Sequence, residues 1–348
     1  MMAQAVLMVL SGFLAWYVAR WVNRNAERLH LVQAPNHRSS HIRPTPSGGG
    51  LGILVAASLA GFAWVMISDW WVGLFALGLA LILSIAGLCD DVRPLSARLR
   101  FSVQLGVCIA MLLVIGDFPS ISLFPVINVE LRGWFLLSLL TLVGVWWINL
   151  FNFMDGIDGL AASQAICMLL AAAALSLYTY PESLLTPVWG FILCVAAATC
   201  GFLLLNWAPA KIFMGDAGST WLAFMVFVLA LLSVQAGWLN YACWLVLAAV
   251  FVTDATMTLV TRMLRGERWH EAHRSHAYQR LSRKWTLDTK SGHRSVTLLV
   301  IGVNMLWLLP LAAATLALSS YNWLWITLAY TPLIISTWRL GAGKPDNA

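Results

Sequence analysis

Runs of about 20 apolar residues recur along almost the whole chain, and that is the length a helix needs to cross the hydrocarbon core of a bilayer. Eleven such runs are predicted, at about 2–22, 48–67, 70–89, 101–117, 133–150, 158–178, 187–206, 216–236, 239–261, 296–318 and 322–338. No repeat, low-complexity tract or soluble domain interrupts them. Only 10% of the residues are charged, against about 25% in soluble domains. The chain therefore reads as an all-α polytopic membrane protein, one domain over 1–348, and not as a globular enzyme with a large core.

The connections alternate in character. One set is short and poor in basic residues; the other, at about 23–47, 90–100, 151–157, 206–216 and 262–295, is polar and mostly basic. Together with the tail, that second side holds 19 of the 21 Lys and Arg. Basic residues collect on the cytoplasmic side of membrane proteins. The amino terminus is thus expected in the periplasm and the carboxyl terminus in the cytoplasm. The first run lacks a preceding basic region and is expected to be retained as a span rather than cleaved. The six cysteines all lie in or beside apolar runs without a CxxC pair, so they are expected as small core residues. A net charge of +6 does not point to nucleic acid here, because the cations share their loops with Asp90, Asp91, Asp155, Asp158, Asp216 and Asp254. Carboxylates among arginines suggest a hard metal and phosphoanions.

The most unusual stretch is Asn149 to Gly159, NLFNFMDGIDG, between two apolar runs. Asn149, Asn152, Asp155 and Asp158 follow one another at intervals of three, which keeps them near one helix face. Amides and carboxylates at a membrane helix end are costly to desolvate. The row fits a magnesium and diphosphate site; a polar helix-breaking turn fits it as well. A second acidic feature, Asp90-Asp91, ends the third run, and Arg93, Arg98 and Arg100 follow it. Adjacent carboxylates repel unless a cation or proton relieves them; a solvated loop with surface ion pairs is the alternative.

Asn206 begins the segment NWAPAKIFMGDAGS, in which Pro209 stops one helix and Gly215-Asp216-Ala217-Gly218-Ser219 opens the next. Small residues at a helix start let a backbone approach an anion, and Asp216 is either a cap or a metal ligand. Arg43 precedes the glycines 48–50, a phosphate-wrapping loop or a linker, without the Lys-Ser or Lys-Thr of a Walker loop. His270, His273 and His276, with Arg274, stand at intervals of three in the large basic loop. Contacts to substrate phosphate, an amphipathic surface helix and a zinc site are all compatible with that spacing. Asp254, in the inner half of the ninth run, is placed to orient this loop.

Taken in order, these motifs resemble the polyprenyl-phosphate N-acetylhexosamine-1-phosphate transferases over about residues 35 to 285. That family includes the muramoyl-pentapeptide translocase and the bacterial GlcNAc-1-phosphate transferase that starts O-antigen. The resemblance implies transfer of a sugar-1-phosphate from a UDP-sugar to undecaprenyl phosphate with release of UMP. It implies Mg²⁺, with Mn²⁺ as a substitute, held by Asn152 and Asp216. Asp90, Asp91, Asp155 and Asp216 become the catalytic acids, one of the Asp90–Asp91 pair lying close to the carrier phosphate. Arg100 falls where relatives carry a lysine for that phosphate. Asp158 and Phe213 are expected to face the uracil, with Asn149 and Asn206 also on the substrate. Arg43 matches a segment near the nucleotide, and His273, Arg274 and His276 are expected to hold diphosphate or sugar. Where the muramoyl branch has a contiguous histidine run, this chain reads HxxHxxH, which favours the O-antigen-initiating branch.

The expected setting is the bacterial inner membrane, with the site on its cytoplasmic face among membrane lipids, and a homodimer is left open. The same chemistry would also serve peptidoglycan lipid I synthesis. Two other classes fit poorly. An intramembrane aspartyl protease needs a GxGD signature, and position 213 is Phe. A secondary transporter predicts repeats and charges near the midplane.

Overall fold

A computed structural model describes residues 2–33, 44–93, 95–122, 130–267, 273–289 and 291–345. The long helices are α1 (Met2–Asn25), α2 (Gly50–Ser68), α3 (Trp71–Val92), α4 (Ala97–Ile115), α5 (Gly133–Phe153), α6 (Leu160–Thr179), α7 (Pro187–Asn206) and α8 (Asp216–Gln235). Then come α9 (Tyr241–Leu247), α10 (Ala249–Leu264), α11 (Ala277–Thr289), α12 (Gly292–Val303), α13 (Leu309–Ala317) and α14 (Asn322–Arg339). Two antiparallel pairs of two-residue strands, Val32–Gln33 with Thr45–Pro46 and Ile121–Ser122 with Glu130–Leu131, are the extended structure among the described residues.

Among those residues, nine helices are long and apolar enough to cross a membrane, α12 and α13 counting as one through a π-turn at Asn304–Leu308. The ninth expected run departs from a simple span. It breaks between α9 and α10, which meet at 71°. Neither proline nor glycine stands at the break. A buried amide pair accompanies it: Gln164 Nε2 donates to the Leu247 carbonyl at 3.0 Å, and Asn304 Nδ2 donates to Gln164 Oε1 at 2.7 Å. If the bent pair is one span the total is ten. The eleventh expected run is the 18-residue α14, which falls short of the same apolarity because it carries Asn322, Arg339, four Thr or Ser, and Pro332.

Helix α8 is the axis of the bundle. It is apolar on every side and buried along nearly its whole length, whereas most of α1 is not. A helix hydrophobic all round belongs inside, and Trp221 and Phe224 are fully enclosed. Helices α2, α3 and α5 pack on it. Large apolar side chains such as Phe13, Trp134, Phe135 and Leu204 point outward, as a lipid-facing surface requires. At one end of the bundle, side chains tie the short connections together. Thr179 Oγ1 donates to the Trp238 carbonyl, Gln235 Nε2 to that of Ile115, and Asn240 Nδ2 to that of Thr315. All the acidic motifs gather at the other end.

Candidate active site

Asp90 and Asp91 occupy the last turn of α3 rather than a loop. Adjacent helical residues project about 100° apart, and the two carboxylates part company accordingly. Asp91 turns to the start of α8, where it accepts the main-chain N–H of Asp216 at 3.1 Å and that of Ala217 at 3.5 Å. Gly215, the residue before α8, has no side chain to cap it, so the cap comes from another helix. Negative charge there also complements the helix dipole. Asp90 turns the other way. Its Oδ1 accepts the N–H of Leu95 at 2.6 Å, and its Oδ2 pairs with Arg100 Nη1 at 2.6 Å. The Asp90 side chain is 8% exposed and that of Arg100 43%, so the guanidinium reaches solvent while the acid stays inside.

A cleft opens beside this pair, lined by Asp90, Arg100, Gln104, Asn149, Asn152 and Asp216. Asn149 is held by two donations, to Gln104 Oε1 at 2.6 Å and to the Val145 carbonyl at 2.7 Å. Asn152 accepts from Ser219 Oγ at 3.1 Å and hydrogen-bonds Asp216. Asp155 sits in the turn between α5 and α6, partly buried. Burial first, then the charges of Asp216, Asp158 and Asp91, holds its carboxyl well above the usual carboxylate range. These acids, from three separate regions of the chain, raise one another's cost of ionisation, which a bound cation would relieve.

Asp158 and Asn206 are brought to the same end but have backbone partners. Asp158 Oδ2 accepts the N–H of Ala210 at 3.0 Å and lies 3.3 Å from His293 Nδ1, and the Asp158 carbonyl accepts Thr297 Oγ1. Asn206 accepts the N–H of Gly159 and donates to the Ile212 carbonyl. Both thereby brace the 206–216 segment. Phe213 is braced from the other side, donating to the Pro46 carbonyl and accepting from Gly49, both at 2.8 Å. The helix starts of α2 and α8 touch through backbone alone: a Cβ on Gly50 would stand 2.5 Å from the Gly218 Cα.

The late basic loop joins this end. His273 and His276 lie with ring centroids 4.9 Å apart. His276 is 3% exposed and faces Asp254, with Nδ1 3.3 Å from Oδ1. Burial, His276 and Arg262 push His273 down to about 3. Arg274 is exposed. Arg43 and His270 lie outside the described residues. Ser219, from the motif that opens α8, joins Asn152 here; Gln104, Tyr278 and His293 also belong to the assembly and were not singled out in the sequence. Gln104 had a signal, a lone amide inside an apolar run; the others had none that distinguishes them from ordinary loop or helix residues.

Among the described residues, no three His, Cys, Asp or Glu side chains converge closely enough to hold a metal by themselves. Mg²⁺ is commonly held by one or two carboxylates, with substrate phosphates and water completing its shell, whereas structural zinc is caged. Asn152 and Asp216, hydrogen-bonded to each other, supply hard oxygens of the right kind.

The model of the family described as Glycosyl transferase family 4 matches residues 72–234. A Bacillus subtilis (strain 168) protein named a probable undecaprenyl-phosphate N-acetylglucosaminyl 1-phosphate transferase is 32% identical over 267 residues, covering 75% of this chain and 72% of its own. The chain belongs to glycosyl transferase family 4. Other members are similar too. An undecaprenyl-phosphate alpha-N-acetylglucosaminyl 1-phosphate transferase of Yersinia pestis is 28% identical over 297 residues, covering 81% of this chain and 77% of its own. A phospho-N-acetylmuramoyl-pentapeptide-transferase of Mycolicibacterium paratuberculosis (strain ATCC BAA-968 / K-10) is 31% identical over 266 residues, covering 63% and 72%. The resemblance carried by the motifs to polyprenyl-phosphate N-acetylhexosamine-1-phosphate transferases is thus borne out, and this glycosyl transferase family 4 chain is a multi-pass membrane phosphoglycosyltransferase. The family match runs from α3 to α8 and contains Asp90, Asp91, Asn152, Asp155, Asp158 and Asp216.

Proposed function

We propose that this enzyme transfers an N-acetylhexosamine-1-phosphate from a UDP-sugar to undecaprenyl phosphate, releasing UMP, at the cytoplasmic face of the bacterial inner membrane. The product would start O-antigen or a related envelope polysaccharide. One observation carries the reading: α3, α5 and α8 bring Asp90, Asn152 and Asp216 into one cleft at the end of an apolar bundle. A lipid acceptor needs that location, because its tail stays in hydrocarbon while its phosphate meets a water-soluble nucleotide.

Phosphoryl transfer asks a protein mainly to position groups and to neutralise charge. Arg100, half in solvent and paired with Asp90, is the group an arriving phosphate dianion meets. Charge-assisted bonds from guanidinium to phosphate are strong and directional. Asp90 faces the cleft, and Asp91 is committed to the backbone of α8. Of the two, Asp90 is therefore the one to take a last proton from the carrier phosphate, and Asp91 holds α8 in place. Asn152 and Asp216 would hold Mg²⁺, which when bound would neutralise the diphosphate and assist departure of UMP. Asp158 and Asn206 brace the segment that presents Phe213 to the nucleobase. His273 and Arg274 take the donor diphosphate or its sugar.

The test is a donor panel. Membranes containing the enzyme, undecaprenyl phosphate and Mg²⁺ are supplied with several UDP-N-acetylhexosamines and with UDP-MurNAc-pentapeptide, and lipid-linked product and UMP are measured. Product from at least one UDP-N-acetylhexosamine is expected. Product from the muramoyl donor alone would move the enzyme to peptidoglycan synthesis, and product from none would overturn the reading.

A further inference from the structure

Asp254 lies on α10, 5% exposed, and lines no part of the cleft. Both its oxygens are engaged. Oδ1 accepts the main-chain N–H of Ala277 at 2.9 Å and Thr258 Oγ1 at 3.2 Å, and lies 3.3 Å from His276 Nδ1. Oδ2 accepts the N–H of Tyr278 at 2.9 Å. The first N–H groups of a helix have no partner within it. Here one buried carboxylate takes two of them and adds a charge of favourable sign at the start of α11.

The same turn reaches the aspartate row. Tyr278 Oη donates to the Phe153 carbonyl at 2.9 Å, at the end of α5, and its ring stacks on His276 with centroids 5.6 Å apart. Gly156 makes room for this contact, since a Cβ there would stand 2.1 Å from Tyr278 Oη. The first turn of α11 is thus gripped from both sides, by Asp254 of the bent span and by the turn that carries Asp155. Its rotation sets where His273 and Arg274 stand relative to that turn.

We propose that Asp254 is a positioning residue for sugar-1-phosphate transfer. Through the main chain of Ala277 and Tyr278 and the ring of His276 it aligns the donor-side segment His273–Arg274 with the Asn152–Asp158 turn. The inference rests on the function proposed above. It predicts a selective defect, because Arg100 and Asp90, on the carrier side, touch none of these groups.

The experiment uses the full-length enzyme in detergent or nanodiscs. Asp254→Asn keeps the volume but turns an amide NH₂ toward the N–H groups of α11. Its kcat/KM for the UDP-sugar is expected to fall roughly 100-fold, the cost of misplacing a reactant by about 1 Å, while KM for undecaprenyl phosphate stays put. Tyr278→Phe, which keeps the ring, is expected to show a smaller defect of the same kind. Hydrogen exchange is expected to accelerate across 273–289 in Asp254→Asn while α8 stays protected. Equal loss toward both substrates, or unchanged exchange in 273–289, would overturn the proposal. If Asp254→Ala fails to insert, Asp254→Asn carries the test. If wild-type enzyme releases no UMP from any donor, the proposed function fails, and hydrogen exchange still decides whether Asp254 holds α11.

Discussion

Asp91 accepts the main-chain N–H of Asp216 at 3.1 Å across 125 residues of sequence. The carboxylate that caps α8 therefore belongs to α3, so Asp216 at the head of α8 is held by a residue five helices earlier in the chain. Removing such a cap costs about 1 kcal/mol. We predict that Asp91→Ala lowers the thermal midpoint of the purified enzyme and abolishes activity together. Asp91→Asn, which retains an acceptor oxygen, should recover part of the midpoint. A midpoint unchanged in Asp91→Ala would show that the cap contributes nothing.

Arg100 forms the exposed side of the cleft, paired with the buried Asp90. Lysine keeps the charge of Arg100 but loses the planar fork that matches a phosphate. Arg100→Lys is expected to raise KM for undecaprenyl phosphate about tenfold and to leave KM for the UDP-sugar unchanged. Steady-state kinetics with each substrate varied in turn checks this.

Asn152 and Asp216 are the proposed magnesium ligands. Chelation with EDTA is expected to stop UMP release by the wild-type enzyme, and added Mg²⁺ to restore it. Asp216→Asn should insert normally and stay inactive at every Mg²⁺ concentration. Asn152→Ala should need more Mg²⁺ to reach its own maximum. Turnover by purified Asp216→Asn would remove that residue from the metal site.

Asp155 supplies a pH signature. Its folded value is raised, chiefly by burial and then by Asp216, Asp158 and Asp91, so the folded chain keeps a proton that the unfolded chain releases near pH 4. Stability from this group is present at low pH and is lost as pH climbs from about 4 through the raised value. In metal-free buffer the thermal midpoint should fall across that window, and Asp155→Asn should flatten the slope.

His273 acts in the opposite sense. Burial, His276 and Arg262 bring it down to about 3, while the unfolded side chain titrates near 6.5. Its contribution is complete above about pH 6.5 and drains away as pH falls toward 3. A melting series from pH 7.5 to 5 should show the loss in wild type and a weaker one in His273→Gln.

Much of this was legible from residue patterns. Apolar runs announced the spans because lipid demands about 20 apolar residues regardless of tertiary detail. Asp90, Asn152 and Asp216 stood out because polar groups at the ends of such runs are costly. The break between α9 and α10 was not legible. Its local sequence, Leu247-Ala248-Ala249, contains no helix breaker, and the amide pair that meets the freed carbonyl comes from Gln164 and Asn304, remote in sequence. The different partners of Asp90 and Asp91 were likewise hidden. Two neighbours in an identical local context differ only in what other helices bring to them. The backbone partners of Asp158 and Asn206, Ala210 and Gly159, were hidden for the same reason: they become visible only once the loops are folded.

The bare-backbone junction of Gly50 with Gly218 has an implication for engineering. Residue 50 precedes the stretch recognised by the family model, and residue 218 lies within it. A chimera that swapped only 72–234 between relatives would join two surfaces that must match to within a methyl group. The first helices are therefore part of the catalytic unit, and grafts that omit them should misassemble before any question of specificity arises.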